Sequence, residues 1–274
     1  MPRTELEYPK KPFGIVKRYS PRASYALSTI HNIINSSPIL HVSFNDTSSP
    51  FPSILPMLGQ MGSFTRPSAD EGDVLDLYLH GYVSSRLMNT SRGSGSSEGM
   101  PVCVAASHVD GIVMALTPNS HSYNYRSSVL FGHARVVEDP AERLYAMELI
   151  TNGVIPGSWS NTRVPPNKAE LSSTSVLKVT IETRSAKVRL GPPGDEKQDR
   201  DNAEVVNKVW TGVVPVYSTL GEPVSGPYNV VDPPSYITNF VTGFNEEARQ
   251  FAESAAARVP VKRGGPGEAR DTKG

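Results

Sequence analysis

Two short stretches of this chain gather the residue types that hold a phosphate. The first is GYVSSR, residues 81–86. Ser84 and Ser85 offer hydroxyl donors and a cap for a helix of roughly residues 84–91, and Arg86 adds a forked guanidinium. The free backbone N–H groups and positive dipole end of a helix start favour an anion. The second is HSYNYRSS, residues 121–128. Here Asn124, Arg126 and Ser127 are donors, while Tyr123 and Tyr125 supply flat faces and phenols. This polar cluster runs into an apolar strand, Val129 to Val137, which must sit in a core. The same residue types also serve as helix caps, turns and sheet edges, so the residues alone leave a plain structural role open. A pair of anion-capable edges with aromatic faces suits a ligand carrying both a phosphate and a flat ring. Flavin mononucleotide (FMN) meets both demands, as does any other phosphorylated aromatic.

Other chemistries find little support. The 27 basic and 27 acidic residues cancel, so the basic excess of a nucleic-acid binder is missing. Cys103, the only cysteine, forms no intramolecular disulfide and lies in an apolar strand as an inert thiol. No GxSxG, HExxH, P-loop or CxxC pattern occurs, and His108, His121 and His133 have no metal-ligand spacing. No apolar run reaches the ~18 residues of a membrane span. The N-terminal MPRTELEYPKKPFG lacks the apolar centre of a signal peptide, so the expected compartment is cytoplasmic, with no membrane partner.

The elements that must position the two stretches are readable from periodicity. Ile30, Ile33 and Ile34 predict a helix capped by Ser28 and stopped before Pro38, with His31 on its surface. Ile39 to Phe44 and Ser53 to Met61 form a hairpin. In Val74 to His80, the leucines 75, 77 and 79 share one face and His80 projects from the other at the strand end. Pro101 to Val109 is a strand, Asp110-Gly111 a hairpin turn, and Ile112 to Leu116 its return. Asp139, Pro140 and Glu142 form a capping box for a helix lined by Leu144, Met147 and Ile150 and ended at Gly153. Residues 175–182, 187–190 and 209–217 are further strands, and residues 235–257 a last helix using Phe240, Phe244 and Phe251. With 24 Pro and 22 Gly, some seven strands and two or three short helices, the expectation is mainly β: an antiparallel barrel with helical caps. The organisation expected is an extended arm (1–19), a barrel domain (20–225), a C-terminal extension with a helix (226–261) and a disordered tail (262–274).

Six segments keep an order that resembles a known family. They are Pro21-Arg22, LYLHGYVSSRLMN (77–89), PVCVAASHVDGIVMA (101–115), HSYNYRSSVLFGHARVVEDP (121–140), SAKVRLGPP (185–193) and VWTGVVPV (209–216). Over roughly residues 15–225 the chain resembles the pyridoxamine 5'-phosphate oxidase-related FMN-binding split-barrel family, in its flavin-nucleotide-binding and 5-nitroimidazole resistance reductase branch. The resemblance implies a six-stranded antiparallel Greek-key split barrel and a homodimer with FMN at the subunit interface. It places Ser84, Ser85 and Arg86 at the phosphate, and Asn124, Tyr125, Arg126 and Ser127 near the phosphate and ribityl chain. Backbone at Leu55 to Leu58 would run beside the isoalloxazine. His80 would stand near the flavin ring or substrate as the catalytic candidate, and Lys187 and Trp210 occupy further motif positions. The function implied is an FMN-dependent oxidoreductase acting on a small substrate such as a nitro-aromatic, with a transiently docked nicotinamide donor. The alternatives are a non-catalytic flavin carrier or sensor, and a haem-binding split barrel with His80, His108 or His121 on the iron.

Overall fold

The computed structural model describes residues 5–46, 48–93 and 95–259; the expected tail at 262–274 lies outside them. In chain order the elements are β1 (Ala23–Ser24), α1 (Leu27–Asn35), β2 (Leu40–Phe44), β3 (Ser53–Gly62), β4 (Asp76–Tyr82), α2 (Arg86–Gly93), β5 (Met100–Met114), β6 (Ser122–Val136), α3 (Pro140–Val154), α4 (Lys168–Ser173), β7 (Thr174–Arg189), α5 (Lys197–Arg200), α6 (Ala203–Val206), β8 (Gly212–Pro215) and α7 (Ser235–Ala257). The strand order β7-β4-β3-β2-β5-β6 closes through pairing of β6 with β7, giving a six-stranded antiparallel barrel.

Three long strands set the architecture. β5, β6 and β7 have 15, 15 and 16 residues, more than the short strands can cover. Each outer long strand therefore serves two partners along one edge. β7 pairs with β4 through residues 174–179 and with β1 at 186–187. β5 pairs with β2 through 102–105 and with β8 through 111–114.

The barrel interior holds Leu40, Val42, Leu77, Leu79, Val104, Leu130, Leu177 and Val179, with Ile30, Ile33 and Ile34 of α1 packed against them. Burying each such side chain contributes about 1.5–3 kcal/mol. The alternation along β4 puts Tyr78 on the outer face, where α3 covers it with Ala146 and Ile150. Both faces of β4 are thus buried at its centre, and only its Tyr82 end opens to solvent.

Several expectations need correction. Asp110-Gly111 is not a turn: β5 runs straight through it with a bulge between Val109 and Gly111, and Asp110 is buried. The polar cluster at 122–128 is the first half of strand β6, not a loop before it. The two expected strands at 175–182 and 187–190 are one strand, β7 (Thr174–Arg189), while the last strand shrinks from 209–217 to four residues. Ser28 lies inside α1 and donates to Glu5; Ala26 takes the cap position without a side-chain cap. Asp139 does cap α3, but Glu142 turns away from the cap and accepts from Tyr78 and Lys178. Gly153 remains within α3, against Gln60. His31 is fully buried; its ring meets the Tyr8 hydroxyl at 3.2 Å and the Glu71 carbonyl at 2.8 Å. Burial holds its pKa down at about 4, although the Glu71 contact works in the other direction.

Candidate functional site

Sheet register places the two phosphate-type stretches at opposite ends of β7. His80 pairs with Val176 and Tyr82 with Thr174, whereas Ser127 pairs with Lys187 and Tyr125 with Arg189. Val176 and Lys187 stand eleven positions apart on one strand, on the order of 35 Å at the usual rise. A single chain therefore does not bring His80, Ser84, Ser85 and Arg86 together with Asn124, Tyr125, Arg126, Ser127 and Lys187.

At the first end, Ser85 precedes α2 and its Oγ accepts from Met88 N–H at 3.4 Å, so its hydroxyl works as a helix cap. Ser84 is exposed, and its carbonyl accepts from Asn89 at 3.2 Å. Arg86 is 64% exposed, 3.7 Å from Asp46 and 3.4 Å from Ser53 Oγ. Asp46 is held below the usual carboxylate range, first by its Ser48 hydrogen bonds and, last, by the Arg86 charge. His80 lies opposite Leu58 and reaches solvent, yet the surrounding wall desolvates the ring enough to lower its pKa.

At the second end, the arginine that looks most like a phosphate clamp is already engaged. Arg126 forks onto Asp110 with Nε and Nη2 at 3.0 and 2.8 Å, and Phe251 of α7 covers its guanidinium at 3.9 Å. Ser127 Oγ donates to the Lys187 carbonyl at 3.2 Å, tying β6 to β7. Asn124 is fully buried: Oδ1 accepts from Arg189 at 2.5 Å, and its Nδ2 has no partner. Trp210 is 64% exposed just before β8 and lies across Gly212, where a Cβ would strike its ring. β8 pairs with residues 111–114 of β5, which face 122–124 of β6, so Trp210 belongs to this end too.

What gathers charge here is a tyrosine outside the sequence-derived set. Tyr19 has a left-handed backbone, φ 53°, rare for a bulky residue. Around its ring stand Arg22 at 4.5 Å, Arg18 at 5.1 Å and Lys187 at 5.7 Å. Arg189 adjoins them: burial lowers its pKa, and the charge of Arg22 lowers it further. None of the ion pairs among the described residues involves Arg18, Arg22, Lys187 or Arg189. Four cations without a carboxylate repel one another, and an anion relieves that repulsion. The pairing of Ala23 with Lys187 carries the end of the expected extended arm, with Arg18 and Tyr19, and the following Arg22 to this edge. The signal in the sequence was Pro21-Arg22 itself; what it lacked was the register that lays it beside Lys187.

Two other chemistries meet geometric obstacles. His108 Nε2 lies 2.8 Å from Ser37 Oγ and 3.3 Å from Ser36 Oγ, but both oxygens of nearby Asp110 belong to Arg126, so no Ser-His-Asp relay forms. His121 Nδ1 accepts from Ala115 N–H, and among the described residues no cluster of three metal-ligating side chains occurs. Among those residues, no helix is long and apolar enough to cross a membrane.

Comparison with known proteins agrees with this fold. A family profile described as pyridoxamine 5'-phosphate oxidase matches residues 27–188. The structure is similar to that of the flavocytochrome Anf3 from Azotobacter vinelandii, with 29% identity, 86% of this chain and 99% of that one covered, and a TM-score of 0.68. It also shares its fold with the FAD and heme binding protein from Mycobacterium smegmatis, at 24% identity, covering 80% and 97% of the two chains with a TM-score of 0.65. No curated protein matches. With the profile spanning more than half of the sequence and a closed six-stranded antiparallel barrel beneath it, the chain belongs to the pyridoxamine 5'-phosphate oxidase family.

Proposed function

We propose that this protein binds a flavin nucleotide, FMN in the first instance, as a homodimer, and acts as a flavin-dependent oxidoreductase on a small substrate. The observation that carries the proposal is the carboxylate-free cluster of Arg18, Arg22 and Lys187 around Tyr19, with Arg189 beside Arg22, which suits a phosphate monoester. The buried, unpartnered Nδ2 of Asn124 beside it is a further donor. The family fold, and a relative at 29% identity named a flavocytochrome, point to flavin as the ligand class.

The chain's residues divide the work. Lys187, Arg22 and Arg18 neutralise the phosphate, and Ser127 fixes Lys187 through its carbonyl. Tyr125 and Trp210 offer flat surfaces at the same end. Arg126 and Asp110 hold β5 and β6 in register rather than touching the ligand. Once bound, the flavin supplies the hydride and electron transfer; the protein positions it. His80, with its pKa lowered, is neutral at pH 7 and acts as a hydrogen-bonding group rather than a cation. Because His80 and Lys187 lie at opposite ends of β7, a complete site needs His80 from one copy and Lys187 from another. The second copy would also cover Ile54 and Leu58, which are 62% and 39% exposed on the β3 wall.

The absorption spectrum of the purified protein is the test. Flavin bands are expected, with FMN and FAD separated by chromatography of the extracted cofactor; a Soret band without flavin bands overturns the proposal in favour of haem. Reduction of bound flavin by a nicotinamide donor and reoxidation by a nitro-aromatic compound distinguishes an oxidoreductase from a carrier. Light scattering at micromolar concentration should give twice the chain mass, and a flavin-loaded monomer refutes the dimer.

A further inference from the structure

Between β8 and α7 the chain runs through residues 216–234 without a helix or strand. It is held at its start. Val216 N–H donates to Asp110 O at 3.2 Å, and Leu220 is gripped twice by Asn245 of α7, at 2.7 and 2.9 Å. Beyond Leu220 it leaves the body of the protein and builds a turn of its own. Asn229 N–H donates to Gly226 O at 3.1 Å, and Asn229 Nδ2 reaches Ser225 Oγ at 3.3 Å and Val231 O at 2.5 Å. Four prolines, at 223, 227, 233 and 234, stiffen it. Yet this ordered knob points apolar side chains at water: Val224 is 94% exposed, and Tyr228 and Val230 are each 95% exposed. A free linker has no reason to fix such groups outwards, whereas a preorganised arm does.

We infer that residues 220–231 form an arm that embraces a second copy of this chain, seating Val224, Tyr228 and Val230 on the outer face of β2 and β3. This rests on the homodimer proposed above. The face is on the same molecule: Ile54 at 62%, Leu58 at 39% and the exposed Pro56 form an apolar surface, and β3 carries no charged residue. A two-fold arrangement covers both unpartnered surfaces twice, arm on face and face on arm. The only charges on residues 216–234, Glu222 and Asp232, are acidic, which disfavours an anionic membrane as the occupant. Leu58 pairs with His80, so the arm of one copy would wall the His80 edge of the other.

The experiment places a photoreactive benzophenone amino acid at Tyr228 in the full-length protein and mixes light- and heavy-isotope chains before irradiation. Crosslinks joining a light to a heavy chain, with the partner peptide within residues 39–62, are expected. In parallel, V224S/Y228S/V230S should weaken dimerisation by roughly 10- to 100-fold in sedimentation, with unchanged circular dichroism because the three side chains are almost wholly exposed in their own chain. A wild-type dimer that gives crosslinks only within one chain, to another surface or not at all, or whose affinity survives the triple substitution, overturns the arm and leaves the dimer standing. A wild-type monomer removes both.

Discussion

Replacing Arg126 with alanine separates a structural ion pair from a phosphate clamp. Its guanidinium is 19% exposed and its partner Asp110 only 5%, and the two meet through paired hydrogen bonds of 3.0 and 2.8 Å. Removing Arg126 leaves a buried carboxylate without its cation, which typically costs 3–5 kcal/mol. The stacking of Phe251 at 3.9 Å adds about 1 kcal/mol. Partial solvent access of Arg126 reduces the first figure, so a loss of about 3 kcal/mol is expected in urea unfolding of the apoprotein. FMN and riboflavin, titrated below the unfolding transition, should weaken by the same factor. Lys187→Ala should do the reverse: little change in stability, because Lys187 is half-buried without an ion pair, but a roughly 10- to 100-fold loss for FMN and almost none for riboflavin, which lacks the phosphate. If Arg126→Ala leaves stability within ~0.5 kcal/mol of wild type and lowers FMN affinity alone, Arg126 holds the phosphate and the assignment of its fork to Asp110 is wrong.

Three more outcomes follow from buried groups. His31 binds a proton in the unfolded chain near pH 6.5 but in the folded chain only near 4, so stability should be full above pH 6.5 and fall by about 3 kcal/mol as the pH drops towards 4; urea melts of wild type and His31→Gln should show the slope in the former alone. Arg184 is fully buried, none of its three side-chain nitrogens has a hydrogen-bond partner, and burial presses its pKa down to about 8. Its guanidinium does lie over the Tyr8 ring; Arg184→Met should hold or raise stability by up to ~4 kcal/mol in thermal unfolding, and a clear drop would mean the Tyr8 stacking outweighs the cost of burying the charge. Gly132 sits at the β6–β7 bulge, where a Cβ would run into the Thr180 carbonyl, so Gly132→Ala should cost about 1–3 kcal/mol, measured by the same melts.

The local pattern was enough for much of the fold. The leucines at 75, 77 and 79 fix which face of β4 looks inwards, because side chains alternate along a strand, and all three are buried. The isoleucine spacing marks α1, and the Phe-bearing run 235–257 coincides with α7. The order of the six motif segments carried the family and with it the split barrel. Pairing partners were not legible, because they depend on residues far away in the chain. Asp110-Gly111 has the composition of a hairpin turn, but β6 and β8 flank it on both edges, and continuous pairing converts the turn into a bulge. Arg126 has the surroundings of an anion site until that bulge delivers Asp110 and α7 delivers Phe251. Tyr19, the last residue of the expected extended arm, and Arg22 show no tie to Lys187 until β1 lies beside β7. His31 occupies a helix position that reads as surface until Tyr8 and the chain at Glu71 close over it. The separation of His80 from Lys187 belongs to the same class: composition shows two edges fit for one ligand, and only the register along β7 puts a strand's length between them.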